Sequence, residues 1–155
     1  MTHTLSRHLV TFLAAVAAVF AMAAPAYAAK DEIYTKRDNL GARGYDVVAY
    51  FTAGEPTKGS ADFETTYKGA TWRFSSQENL DRFTANPGQY APQYGGYCAW
   101  ALAQDQLAPG NPKFWKIVDG KLYLNYSKGV QKKWEKDIPG FITSADGNWP
   151  SVLNK

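Results

Sequence analysis

Two stretches of aromatic and β-branched residues, each doubled back by a dipeptide that ends in glycine, constrain the fold of this chain most. Trp115-Lys116-Ile117-Val118 runs into Asp119-Gly120 and returns as Lys121-Leu122-Tyr123-Leu124. Asp-Gly accepts the positive φ angles of the tight turn whose twist matches paired strands. Asp62 to Ser75 reads the same way: Phe63, Thr65 and Tyr67 share one face, Lys68-Gly69 turns, and Thr71-Trp72-Arg73-Phe74 returns. The chain is therefore expected to build two antiparallel hairpins.

Helical signals follow each hairpin. Ser75-Ser76-Gln77-Glu78 is read as a capping box, the Ser75 hydroxyl taking the Glu78 N–H and the Glu78 carboxylate reaching back. Leu80 and Phe83 stand on the buried face of that helix, and Asn86-Pro87 ends it. Ser127 caps a helix carrying Val130 and Trp134. Asp137 caps another, with Pro139 in its first turn, Phe141, Ile142 and Ala145 inside, and Gly147 closing it. Cys98 to Ala103 favours a short helix, and Leu107 to Pro112 a loop. Tyr45 to Phe51 is an apolar run that fits a short strand or a helical turn equally well. No internal repeat and no flexible linker is evident. The expectation is one small α+β domain with two antiparallel β-hairpins and several short helices. An extended lead-in (29–44, with Tyr34 docked on the body) precedes a body at 45–150 that ends in a helical extension.

The N-terminus narrows the chemistry. Arg7 precedes an apolar run, Leu9 to Ala24, broken only by Thr11; Pro25 and Ala26-Tyr27-Ala28 follow. This is the pattern of a secretory signal peptide, shorter than the about 20 residues a spanning helix needs. Residues 1–28 are expected to be cleaved after Ala28, leaving a periplasmic or secreted protein with no membrane contact. His3, His8, Met1 and Met22 leave with the leader. The remaining chain then cannot form a Ser-His-Asp triad, a Cys-His pair or a histidine base. It also lacks the ligands of structural zinc, copper electron-transfer and His- or Met-ligated haem sites, so no haem is expected. Of 17 basic residues the leader takes only Arg7, and all 14 acidic ones stay, so the balance is nearly neutral. The densest basic patch, Lys128, Lys132, Lys133 and Lys136, is interleaved with Glu135 and Asp137 and reads as a solvated helix face, not a nucleic-acid surface.

The candidate centre is Tyr94-Gly95-Gly96-Tyr97-Cys98 with Trp100. The glycines permit positive φ or a close backbone approach. Aromatic rings beside them could wall a cleft for a small organic ligand, although a domain of this size also needs its five Trp for core volume. Cys98 is the single cysteine and has no partner within the chain. It can be a buried apolar residue, half of an intermolecular bridge, or a redox-active thiol; the last requires a lowered pKa.

Several separated motifs resemble the YHS domain, in the branch of secreted YHS domain-containing proteins: Gly44-Tyr45-Asp46-Val47-Val48-Ala49-Tyr50-Phe51, Tyr67-Lys68-Gly69-Ala70-Thr71-Trp72-Arg73-Phe74-Ser75-Ser76, Asn86-Pro87 with Tyr90, and Tyr94-Gly95-Gly96-Tyr97-Cys98-Ala99. The resemblance implies a small metal-associated module similar to the TRASH domain. In the metal-type motif a Cys directly follows the second strand, with another a few residues on; here Ser75 holds the first position and no second Cys follows. The reading is a non-enzymatic periplasmic binding or accessory module. Its partner would be an unidentified small ligand or periplasmic protein. The alternatives are thiophilic metal (copper-type) binding through Cys98, shared across a dimer, and thiol redox chemistry at Cys98.

Overall fold

The computed structural model describes residues 28–155; the expected leader, apart from Ala28, lies outside them. Among the described residues no helix is long and apolar enough to cross a membrane.

Both hairpins form. Strand β1 (Ser60–Tyr67) pairs with β2 (Ala70–Phe74), and β3 (Asn111–Val118) pairs with β4 (Lys121–Asn125), each pair a separate two-stranded antiparallel sheet. The turns take positive φ at both central residues, Lys68 and Gly69 in the first, Asp119 and Gly120 in the second. This is the backbone that closes a two-residue loop without splaying its strands. The helices are α1 (Ala49–Thr52), α2 (Gln77–Ala85), α3 (Pro87–Tyr90), α4 (Ala99–Ala103), α5 (Lys128–Trp134) and α6 (Ile138–Asn148).

The α+β expectation holds, and several local readings are corrected. The apolar run after Tyr45 resolves as the helical turn α1. The cap of α2 sits one residue later: Ser76 Oγ accepts the Asn79 N–H at 3.2 Å. Ser75 is drawn away because its own hydroxyl donates to Asp46, and Glu78 pairs forward with Arg82 at 2.7 Å. Asn111 and Pro112 belong to β3 and not to the preceding loop, and α6 runs past Gly147 to Asn148.

The largest correction concerns repetition: the chain contains the same architecture twice. A 3-10 turn whose last residues have positive φ, Gly41–Gly44, leads through Tyr45 and Asp46 to α1, β1, β2 and α2. A second such turn, Gln93–Gly96, leads through Tyr97 and Cys98 to α4, β3, β4 and α5. Tyr45 bridges to Lys58 and Tyr97 to Pro109, each just before its hairpin. The registers correspond residue for residue. Ser60 faces Phe74 where Asn111 faces Asn125, then a bulge, then Glu64 faces Arg73 where Trp115 faces Leu124. Ser76 and Ser127 cap the following helices alike. Even the ring pairs agree: Trp72 and Phe83 lie 5.4 Å apart, Tyr123 and Trp134 5.5 Å. Few side chains match between the halves, which is why the sequence hides the repeat. What recurs is backbone conformation and the inside–outside pattern.

The halves share one interior. Strand β4 lies between two apolar clusters, with Leu122 and Leu124 facing the core of the first half and Tyr123 that of the second. The N-terminal segment alternates likewise, Ile33 in the first cluster and Tyr34 against Tyr97 in the second. This period of two lets one extended segment serve both cores.

Candidate functional site

The segment Tyr94–Trp100 is a real structural centre, but its side chains diverge. Tyr94, Gly95 and Gly96 form a left-handed turn at φ 55°, 60° and 85°. Gly95 has no alternative: a Cβ there would lie 1.7 Å from the Glu32 carbonyl oxygen. That close approach lets the Gly95 carbonyl accept the Tyr34 N–H at 2.9 Å. The N-terminal segment is thereby strapped across the junction of the halves. Lys30 N–H donates to Leu153 O at 2.8 Å, Tyr97 Oη donates to Asp31 O at 2.9 Å, and Lys68 pairs with Glu32.

Tyr94 and Tyr97 point into the second core, flanking Trp149 at 6.0 and 6.3 Å between ring centroids. Tyr94 Oη donates to Asp146 Oδ1 at 2.7 Å, fixing the turn to α6. Burial first, then the Asp146 carboxylate, pushes the Tyr94 phenol well above its usual range; burial does the same to Tyr97. Neither ring is a proton donor near neutral pH. Trp100 is half-buried, with Lys133 Nζ 5.3 Å above its ring.

Of the six residues read as a ligand centre, Tyr94 and Gly95 line a cleft, about 170 Å³, beside the strap. Glu32, Tyr67, Lys68, Gln93 and Trp149 supply the polar and aromatic part of its wall, and Ile33, Ala91 and Pro92 an apolar part. It therefore draws on the strap, the first hairpin, the stretch from α3 to the second left-handed turn, and Trp149 after α6. The sequence pointed to the turn. The strap and the hairpin tip are separated from it in the chain, and no local pattern linked them.

Cys98 lies away from this cleft. It is 1% exposed, its Sγ 3.7 Å from Asn125 Oδ1, and Asn125 is itself fully buried. Burial pushes the thiol pKa up, opposed by the backbone N–H groups of Ala101, Tyr126 and Trp100 that face the sulfur. The redox reading required the opposite direction.

Asp46 was missed as a centre, and it is the best-connected buried polar group. Oδ1 accepts the Val48 and Ala49 N–H groups at 2.9 and 3.2 Å. Oδ2 accepts the Ser75 N–H at 2.8 Å, the Ser75 hydroxyl at 2.6 Å and Asn79 Nδ2 at 2.7 Å. An acid opening an apolar run, Asp46-Val47-Val48-Ala49, was the available signal. The carboxylate ties α1 to the end of β2 and the start of α2.

The position that the family resemblance assigns to a metal-binding Cys is Ser75, and its hydroxyl is committed to Asp46. Among the described residues no three His, Cys, Asp or Glu side chains group as a metal site would require. The residues present do not fit a thiolate metal centre.

A family model of the YHS domain matches residues 48–94, which is most of the first half and the connection to the second turn. The second half, with the same architecture, lies outside that match. Neither the curated proteins nor the solved structures yield a match.

Proposed function

Starting from the YHS domain at residues 48–94, we propose that the chain is a non-enzymatic accessory module, exported and cleaved near Ala28, that binds a small polar ligand between its two halves. The observation that carries this reading is the cleft beside Tyr94 and Gly95, walled by the Lys68–Glu32 pair and by Tyr67 and Trp149. Its volume suits a few heavy atoms, well below the 300–1,000 Å³ or so of sites for larger ligands. A cation and an anion on the same wall favour a zwitterionic or hydroxyl-bearing molecule over an apolar one. The absence of histidine from Ala29 to Lys155 supports a binding role over acid–base catalysis.

The test is a native mass spectrum of the protein recovered from its own periplasm, with thermal-shift titration against small zwitterions and polyols. A small-molecule adduct, or a shift abolished in Lys68→Ala and Trp149→Ala, supports the reading. A bare polypeptide mass with no shift across the panel removes it. Fractionation that leaves the chain in the cytoplasm at its uncleaved mass removes the export.

A further inference from the structure

The cleft has a neighbour. A second cavity, about 150 Å³, lies between the strap and the turn of the first hairpin, with Asp31, Thr35, Asn39 and Gly69 in its wall. Glu32, Ile33 and Lys68 line both cavities. Ile33 is buried in the first core, so the Lys68–Glu32 ion pair is the part of this shared wall that is free to move. Neither cavity alone reaches the about 300 Å³ at which sites for organic ligands begin, and the two joined do.

The pair is built to exchange. Its Lys68 and Glu32 side chains are 42% and 47% exposed, and an ion pair in that setting contributes little to stability. The strap does not depend on it. The Tyr34 N–H on Gly95 O, the Lys30 N–H on Leu153 O and Tyr97 Oη on Asp31 O hold its backbone, and Ile33 anchors it. Lys68 also breaks a local rule. It stands at φ 50° in the first central position of its turn, where Asn, Asp and Gly are favoured; the second hairpin has Asp119 there. Departures of this kind gather at functional sites. Lys68 Nζ lies 5.7 Å from the centre of the Tyr67 ring, so the ammonium keeps an aromatic neighbour when Glu32 leaves it.

We propose that the Lys68–Glu32 pair is the gate of one joined site, and that the ligand is a free amino acid entering as its zwitterion. This rests on the reading of the cleft as a ligand site. The ligand carboxylate takes Lys68 from Glu32, and the ligand ammonium takes the released Glu32 carboxylate. One ion pair becomes two, no net charge enters the site, and the side chain of the amino acid fills the joined cavities. A ligand with a carboxylate alone would leave Glu32 as an unpaired anion beside it, and a ligand with an ammonium alone would strand Lys68. A polyol brings no charge with which to part the pair. The site therefore selects for both charges on one small molecule.

The full chain is titrated by calorimetry at low salt with free amino acids of increasing size, with the amide and the deaminated acid of each, and with polyols. The amino acids are expected to bind several-fold tighter than either single-charge derivative, with an affinity that falls as salt is added. Glu32→Ala frees Lys68, so the deaminated acid should bind this variant several-fold tighter than the unsubstituted chain, and the preference for the amino acid should collapse. Lys68→Met should lose the amino acid and the deaminated acid alike while keeping its melting temperature. The proposal is overturned if polyols or single-charge derivatives bind as tightly as the amino acids, or if Glu32→Ala keeps the full preference; the cleft stays a ligand site in both cases. If nothing in the panel binds, the cleft reading falls together with the gate. If Lys68→Met fails to fold, Glu32→Ala, a change at an exposed side chain, decides.

Discussion

The two halves solve one backbone problem with different chemistry. In the first, a buried carboxylate collects every nearby donor: Val48, Ala49 and Ser75 from the backbone, Ser75 and Asn79 from side chains. In the second, the matching position carries a thiol, a weak acceptor, and among the described residues two buried polar atoms of that half have no partner, Asn125 Nδ2 and Trp134 Nε1, against one in the first, Arg43 Nε. Both halves pack aromatic rings, Tyr50, Trp72, Phe74 and Phe83 in the first cluster and Tyr94, Tyr97, Tyr123 and Trp134, with Trp149 against them, in the second; what the first half adds is the buried Asp46 carboxylate. A duplicated backbone therefore does not need duplicated side chains, provided each half finds some way to satisfy the same donors.

Two glycines give the strongest test of that equivalence. A Cβ at Gly59 would lie 2.4 Å from the Arg73 carbonyl carbon, and at Gly110 2.1 Å from the Gly96 carbonyl oxygen. Both obstacles are backbone. Gly59→Ala and Gly110→Ala should each cost about 4 kcal/mol or prevent folding, to similar extents, in urea denaturation. A large difference between them would break the correspondence.

The two matching positions should then separate the halves. Asp46→Ala strands buried donors and should destabilise by about 3 kcal/mol. Cys98→Ala removes a poor acceptor and should cost about 1 kcal/mol. Equal losses in paired melts would mean that the thiol carries as much as the carboxylate.

Trp134→Phe gives the second half the residue type that the first has at Phe83. It removes the unpaired buried Nε1 along with some ring volume, and these effects oppose each other. The net change should stay within about 1 kcal/mol, whereas Phe83→Ala should cost about 3–4 kcal/mol. A larger loss for Trp134→Phe would show that the indole nitrogen has a partner in solution.

The smallest effect is with pH. Burial raises the folded-state pKa values of Cys98, Tyr97 and Tyr123. The neutral forms are favoured in the fold, so this contribution is full below the unfolded pKa values and is lost as pH rises past them. Stability should begin to fall above about pH 8.5 through Cys98 and more steeply above about pH 10 through the tyrosines. The slope is at most about 1.4 kcal/mol per pH unit for each group. Cys98→Ala should erase the lower step alone; an unchanged step in its pH-dependent melts would assign it to another group.

Much of the local structure was legible in the chain. Lys68-Gly69 and Asp119-Gly120 determined both hairpins, because φ > 0 at a turn is a property of a few residues. Ser127, Asp137 and Asn86-Pro87 marked helix boundaries for equally local reasons. The cap at Ser75 was misplaced by one residue because its hydroxyl had a stronger partner, Asp46, far away in the chain. That competition is settled by geometry that no local window contains.

The candidate centre divides in the same way. Gly95 and Gly96 announced a turn needing positive φ, and the structure uses them so. The Glu32 carbonyl that presses on Gly95, the Asn125 amide beside Cys98, and the strap and hairpin tip that complete the cleft all come from distant positions. The repeat stayed hidden because a backbone path is specified by pattern and glycine placement, which many side-chain sets satisfy. Turns, caps and the hairpins are set by interactions within a few residues, so the sequence by itself determined them. Which buried polar group meets which donor depends on contacts between segments far apart in the chain, and only the tertiary structure decided it.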